Sequence, residues 1–486
     1  LYPKDHPYNW QVIGSLDDLQ AATLDDVKEF FRRWYVPNNV TLTVAGDFDS
    51  AQAKKWVEKY FSEIKKGEEV KPLQKRPGVV KETKKLYHED NFARLPQLTR
   101  SYPTVEQYHP DAYALDVLFE YLSDGKKAPL YKVLVEDKKL APGVNMFHRT
   151  SELAGQVYLI ARAYNGKDLD DVNKAVDTAF MMFEKAGISE KDLSRIKAGQ
   201  ETQFYNGLAS VLGKGAQLAF YNIYTGDPGY AEKEIKSILD VTPADVTRVY
   251  KKYIKDKNYV ATSFVPKGQT KLALEGSKKA EVSEEKIAQT DDKVDPNVKS
   301  EYVRTPSSFD RSSEPLYGDE PEVTVPAIWE TKLQNGMKVY GIQNSEVPLV
   351  NYEIIVDGGQ LLDNLNKVGV ANLLGDMMTQ GTKNKTPQEL EEAIQQLGAS
   401  INVFAGTEDI RIRVNTLAKN YQATLDLVEE ILLEPRWDAN EFERIKNITA
   451  QDIRVEIKFR REGSVRHKPG VANEVSARDI VVFMIA

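Results

Sequence analysis

One segment of this chain occurs twice, and the repeat limits what the chain can fold into more than any other feature. Thr242, Asp245, Val246, Tyr250, Tyr253 and Asn258 repeat Thr23, Asp26, Val27, Phe31, Trp34 and Asn39 at a constant offset of 219 positions, without a gap. In both copies a threonine stands three residues before an aspartate, a pattern that satisfies the first free N–H groups of a helix. In the first copy Val27, Phe30, Phe31, Trp34 and Tyr35 then fall at i, i+3, i+4, i+7 and i+8, one apolar helix face. Pro37-Asn38-Asn39 breaks that helix, and Val40 to Gly46 alternates as a strand. A further helix, capped by Asp49 or Ser50, has the face Trp56, Val57, Tyr60, Phe61 and Ile64. Both aromatic faces read as core. In the second copy Pro243 takes the first helical position, where its missing N–H costs nothing.

A gapless match of this length implies a domain-sized repeat. Leu193–Lys197 and Phe442–Lys446 echo one another at a larger offset, as an insertion between units would produce. That insertion is the stretch 268–325, rich in Lys, Glu, Asp, Ser and Pro, which reads as a polar linker. Four segments follow: 1–78 as the tail of a first unit, 79–267 as a second unit, 268–325 as the linker, and 326–486 as the head of a third. If the first unit matched the second, roughly 140 residues would precede Leu1, so the chain is expected to be an internal piece of a longer one. Strands and helices mix without strict alternation. The expected class is therefore α+β, in units of about 220 residues, each a mostly antiparallel sheet with helices packed on one side. Strands are predicted near 81–87, 95–102, 144–149, 156–164, 350–356, 400–404 and 409–414, and helices over 111–122 and 421–433.

Composition closes several functional classes. Both signs of charge are interspersed at a net −8, which leaves no nucleic-acid footprint. No apolar run approaches the roughly 20 residues that span a bilayer. The absence of cysteine excludes disulfides, thiolate catalysis and cysteine-bound metal. No G-x-S-x-G and no phosphate loop appears. The five histidines, His6, His88, His109, His148 and His467, lie more than twenty positions apart, so none forms a local metal pair. His6 reads as a turn residue, His109 as a helix-entry residue and His148 as a strand residue.

His6-Pro7-Tyr8, Ile13-Gly14, Pro37-Asn38-Asn39 and Gly46-Asp47, together with the repeat, resemble the pitrilysin/insulinase family of zinc metallopeptidases. The closest likeness is to bacterial members in which two halves are fused by a linker. The stretch 122–134 is similar to the turn and helix of the family's second domain, and Phe309-Asp310-Arg311 lies where the linker between halves would fall. The family's motif is H-x-x-E-H in a frame like G-x-A-H-x-x-E-H-M-x-x-x-G-T. Gly369, Ala371, Met377, Gly381 and Thr382 keep that frame, but the ligand and base positions are Asn372, Gly375 and Asp376. A third ligand position would fall near Asp452.

Hydrolytic zinc needs three protein ligands, an open position for water and a base to take the proton. Asn372 is a poor ligand, Asp376 is one carboxylate, and Gly375 has no side chain, so neither a catalytic residue nor bound zinc is expected in this chain. The resemblance implies a fragment of a zinc metalloendopeptidase that hydrolyses peptides enclosed between two halves. Zinc and catalysis would come from a missing N-terminal domain, and peptide or unfolded polypeptide would be the partner. Relatives of fused layout are often periplasmic. The alternative is a non-catalytic relative acting as scaffold or regulatory subunit, and a third possibility is a module whose ends associate with another chain.

Overall fold

Both threonine–aspartate pairs close full capping boxes. Thr23 and Thr242 each accept from the backbone of the aspartate three residues on, and each aspartate accepts from its threonine's N–H. These boxes open helices α2 (Leu24–Trp34) and α10 (Pro243–Tyr253) of an architecture described for residues 1–282, 306–314, 318 and 325–464 of this computed structural model; the side chains of 451, 452 and 454–464 are excluded. Most of the expected linker, His467 and the last 22 residues lie outside the described residues.

In chain order, α1 (Leu16–Ala21), α2 (Leu24–Trp34) and α3 (Ser50–Phe61) come first. Strands β1 (Lys84–Asp90) and β2 (Gln97–Thr104) precede α4 (Pro110–Ser123), the short α5 (Pro129–Tyr131) and a π turn over Lys132–Asp137. Strands β3 (Val144–Thr150) and β4 (Gly155–Arg162) lead to α6 (Leu169–Ala186), α7 (Glu190–Gly207), α8 (Val211–Thr225), α9 (Ala231–Leu239) and α10 (Pro243–Tyr253). Next come β5 (Val260–Pro266), the short β6 (Lys278–Lys279) and the hairpin β7 (Ile328–Lys332)–β8 (Lys338–Ile342). Last are β9 (Leu349–Asp357), α11 (Val370–Met378), α12 (Pro387–Gln396), β10 (Ser400–Ala405), β11 (Asp409–Leu417), α13 (Tyr421–Leu433) and α14 (Ala439–Ser464).

The fold is α+β. A six-stranded sheet runs β3-β4-β2-β5-β1-β6, with β3–β4, β4–β2 and β2–β5 antiparallel and β5–β1 parallel. A second, antiparallel sheet runs β10-β11-β9. The large core lies where α4, α6 and α10 bury Leu115, Leu118, Val172, Val176, Val246 and Val249 against the inner face of the first sheet. A smaller core gathers Leu390, Ile401, Ile412, Val414, Val428 and Ile431.

The chain divides into two compact units. One comprises Lys75–Lys278 and Val347–Ile485, the other Tyr2–Gln74 and Lys279–Glu346. Within the first unit, α7 packs on α12 through polar contacts. Thr202 Oγ1 donates to Gly398 O (2.7 Å), Arg195 Nη1 to Gln395 Oε1 (2.7 Å), and Lys419 pairs with Glu201 (2.6 Å).

Two expectations fail in the second unit. The stretch 40–46 forms no strand and belongs to no sheet of the described residues. The aromatic faces expected as core are largely open: Phe31 is 61% exposed and Trp56 53%, while Trp34 and Tyr60 are half-buried and Tyr60 packs edge-on to Phe309. Periodicity shows that a helix has an apolar face, but not what covers it.

Candidate functional site

The frame residues around the degenerate motif all have structural work. Gly369 begins α11 at φ +99°, in the left-handed region that favours glycine. Asp363 caps the helix from outside, accepting from the N–H of Gly369 (2.6 Å) and of Ala371 (2.9 Å). Ala371, Met377 and Met378 are buried. Gly381 sits at φ +96°, and a Cβ there would come within 2.6 Å of Lys385 O. Thr382, fully buried, donates to Glu430 Oε1 (2.5 Å) and accepts from the N–H of Lys385 (3.0 Å). Burial alone would raise the Glu430 carboxyl pKa, but Lys385 and Thr382 outweigh it and hold it below its ordinary range.

The three positions where the family places its chemistry do none of this work. Asn372 and Asp376 share one exposed face of α11, and Asn372 Nδ2 donates to Asp376 Oδ2 at 3.5 Å. Partial burial raises the Asp376 carboxyl pKa. Gly375 is buried against β10, where a Cβ would meet Ala405 N and Phe404 Cα at 3.4 Å, an ordinary contact. Helix α14, which carries position 452, packs against α11, but the Asp452 side chain lies outside the described residues. A carboxamide, a hydrogen and one carboxylate do not fit a hydrolytic zinc ion, which needs three ligands and a base. Among the described residues no group of three or more His, Asp or Glu side chains could hold a metal ion.

The four histidines among the described residues serve the fold. His6 is fully buried, accepts from the N–H of Tyr8 (3.0 Å) and packs against the rings of Tyr2 and Tyr8. His88 stacks on Phe264. His109 caps α4 by accepting from the N–H of Asp111. His148 lies between Asp116 Oδ1 (2.9 Å) and Thr104 Oγ1 (2.8 Å). That series has the order of a catalytic relay, but Thr104 is only 2% exposed and no substrate can reach its hydroxyl.

The feature that the sequence reading missed is a cavity of about 870 Å³ beside α4. Tyr113, Asp116, Glu120 and Asp124 line one wall, with Glu234 on α9 and Phe147 on β3 also facing it. Burial pushes the Glu120 carboxyl up to about 7, and Glu234 is raised for the same reason. The signal was available in the i, i+4 spacing of Asp116 and Glu120, which puts them on one face of α4, with Asp124 at its C-cap.

Two family profiles match the chain. Residues 21–200 match the one described as Peptidase M16 inactive domain, and residues 338–464 the one described as Insulinase (Peptidase family M16). The zinc protease PqqE of Helicobacter pylori is 28% identical over 256 residues, covering 52% of this chain and 57% of that protein. The non-peptidase homolog YmxG of the same organism is 26% identical over 104 residues, 21% of this chain and 24% of that one. The crystal structure of a protease from Helicobacter pylori is similar at 25% identity and a TM-score of 0.47, covering 54% of this chain and 63% of that one. The chain thus spans less than two thirds of the length of each of these relatives.

Proposed function

The chain belongs to the pitrilysin/insulinase (M16) family of zinc peptidases, and from that premise we propose that it is a non-catalytic part of a metalloendopeptidase, which helps enclose and hold polypeptide. The observation that carries this reading is the division of labour along α11. Residues of the motif frame cap the helix, pack it and close its turn, while Asn372, Gly375 and Asp376 offer neither a ligand set nor a base. Zinc and the activated water then come from another part of the protein or from a partner chain. On this reading the segments are 1–78 and 79–267 in one half, 268–325 as the linker, and 326–486 opening the second half.

A second reading is a scaffold or regulatory subunit, and the similarity to a relative named a non-peptidase homolog favours it. One experiment tests the first reading and bears on the second. The purified chain is analysed for zinc and assayed for cleavage and binding of an unfolded polypeptide, with and without chelator. Zinc near zero, no cleavage and measurable binding are expected. Stoichiometric zinc with chelator-sensitive cleavage overturns the proposal. If the longer protein also neither binds zinc nor cleaves, the scaffold reading takes its place.

A further inference from the structure

We propose that the free edge of β9 takes up the segment 40–46 of a second copy of this chain as an added antiparallel strand. β9 ends the sheet β10-β11-β9, and among the described residues no strand is bonded to its other side. Two bonds show which backbone groups that edge presents. Gly358 N–H donates to Glu408 O (2.8 Å) and Ala418 N–H to Pro348 O (2.8 Å), so the even-numbered positions of β9 face β11. The N–H and C=O groups of Asn351, Glu353 and Ile355 therefore point outward along the edge, ready for another strand.

Strand β2 shows what such an edge holds. It meets β4 antiparallel, as β9 meets β11, and Ala163 N–H donates to Pro96 O (2.8 Å), so its even-numbered positions face β4. Its odd-numbered Gln97, Thr99 and Ser101 lie opposite Phe264, Thr262 and Val260 of β5. In both β2 and β9 the even-numbered side chains are the more buried set. The two edges thus agree in strand direction, in the positions that carry free backbone groups and in the face that looks inward.

The repeat identifies the occupant. At the offset of 219 positions, 41–47 is the counterpart of Val260–Pro266, which forms β5. Yet 40–46 belongs to no sheet of the described residues, and Val40, Leu42 and Val44 are exposed. Leu42 and Val44 stand where Ala261 and Ser263 are buried on β5. Added to β9 as β5 is added to β2, they fall on the side of Tyr352 and Ile354, which pack against the smaller core. Thr41, Thr43 and Ala45 then run along the face of Asn351, Glu353 and Ile355, and bring no like charge against Glu353. Each copy offers one edge and one strand, so a reciprocal exchange closes a two-fold dimer.

Sedimentation velocity of the full chain tests this, with two variants that each remove one backbone donor. Ile355→Pro removes an outward N–H of β9 and spares the ladder to β11, a place where an edge strand tolerates proline. Thr43→Pro does the same for the incoming strand, in which Thr43 opposes an edge-facing residue. The parent should pass from monomer to dimer as its concentration rises. Each variant alone should raise the dissociation constant at least ~10-fold, the scale of a ladder bond lost at each of two junctions. An equal mixture should regain dimer, because the Ile355→Pro chain supplies an intact 40–46 and the Thr43→Pro chain an intact edge. A parent that stays monomeric overturns the proposal, whether another segment or nothing covers β9. A dimer that either variant retains in full, or that mixing fails to restore, overturns it as well.

Discussion

Helices α2 and α10 are the same element met twice, and they end in different surroundings. Their N-caps agree closely, at φ −110°, ψ 163° for Thr23 and φ −113°, ψ 161° for Thr242. Beyond the cap they part. On α10, Val246, Val249 and Tyr250 are buried, with Tyr250 edge-on to Phe183 at 4.9 Å and donating to Glu184. On α2 the matching Val27, Phe30 and Phe31 are exposed. The segments after the helices diverge in the same way: β5 lies between β2 and β1, whereas 40–46 belongs to no sheet of the described residues. Local sequence therefore determines the helix and its cap, while the worth of its apolar face is decided by the sheet that meets it.

The sharpest way to break this comparison is to truncate the matching aromatics. Tyr250→Ala is expected to cost about 3–5 kcal/mol, the range for emptying an aromatic site in a packed core. Phe31→Ala should cost less than about 0.5 kcal/mol, as at an open surface. Urea unfolding of both variants checks this. A cost at Phe31 close to that at Tyr250 would mean that the α2 face is covered in solution.

Next in size is Asp111, which ties α10 to the head of α4. Its carboxylate accepts from Arg248 (2.6 Å), Lys252 (2.8 Å) and Tyr253 (2.6 Å). Burial would raise its pKa, but the hydrogen bonds from Lys252, Tyr253 and Arg248 win and hold it well below the ordinary carboxylate range. A depressed carboxyl stabilises the fold fully above its unfolded value, near 4, and loses that contribution as pH falls toward the folded value. Asp111→Asn should therefore cost about 2 kcal/mol at pH 7, since three donors lose a charged acceptor. It should also make the loss of stability between pH 5 and pH 3 shallower than in the parent. Urea midpoints across that range decide it, and an unchanged acid limb would show that the cluster contributes little. Among the described residues the ion pairs of α2 stay within the helix, Lys28 with Asp25 and Arg32 with Glu29.

How much of this was legible follows the same division. The capping boxes, the helix Tyr421–Leu433 and the strands expected at 144–149 and 156–164, observed at 144–150 and 155–162, could be read from local residue types and periods. The strand expected at 40–46 could not be decided locally, because a strand is defined by its neighbour and no neighbour is encoded within those seven residues. The motif positions Asn372, Gly375 and Asp376 were legible as a departure from a frame. The reason that the frame persists was not, since Asp363 caps α11 from eight residues upstream of Ala371. Asp116 and Glu120 were written four positions apart in a segment read only as a helix, and the cavity they face depends on β3 and α9, which that segment does not encode.

The caps should behave alike in both copies, and this sharpens the comparison from the other side. Thr242→Ala and Thr23→Ala each remove one side-chain acceptor from a helix start, worth about 1 kcal/mol. The two losses should agree within experimental error when each is read in the unit that holds it, the first by global unfolding and the second by hydrogen exchange over residues 24–28. A Thr23 effect several times that of Thr242 would show that α2 depends on its cap because its face contributes nothing.

The smallest expected loss lies at one of the paired asparagines that follow the helices. Asn39 Nδ2 donates back to Trp34 O (2.9 Å), a bond within its own turn. Asn258 Nδ2 instead donates to Lys81 O (2.8 Å), joining the end of α10 to the chain that enters β1. A bond that closes a long loop holds two distant elements together, whereas one that closes five residues only reinforces a turn already formed. Asn258→Ala should therefore cost about 1 kcal/mol and Asn39→Ala about half that, both within the usual net value of a hydrogen bond. Hydrogen exchange should locate the first loss across β1 and β5 and confine the second to residues near 34–39. If Asn39→Ala loosened residues far from its own turn, the first copy would have a long-range partner too, and the contrast between the copies would narrow to their apolar faces alone.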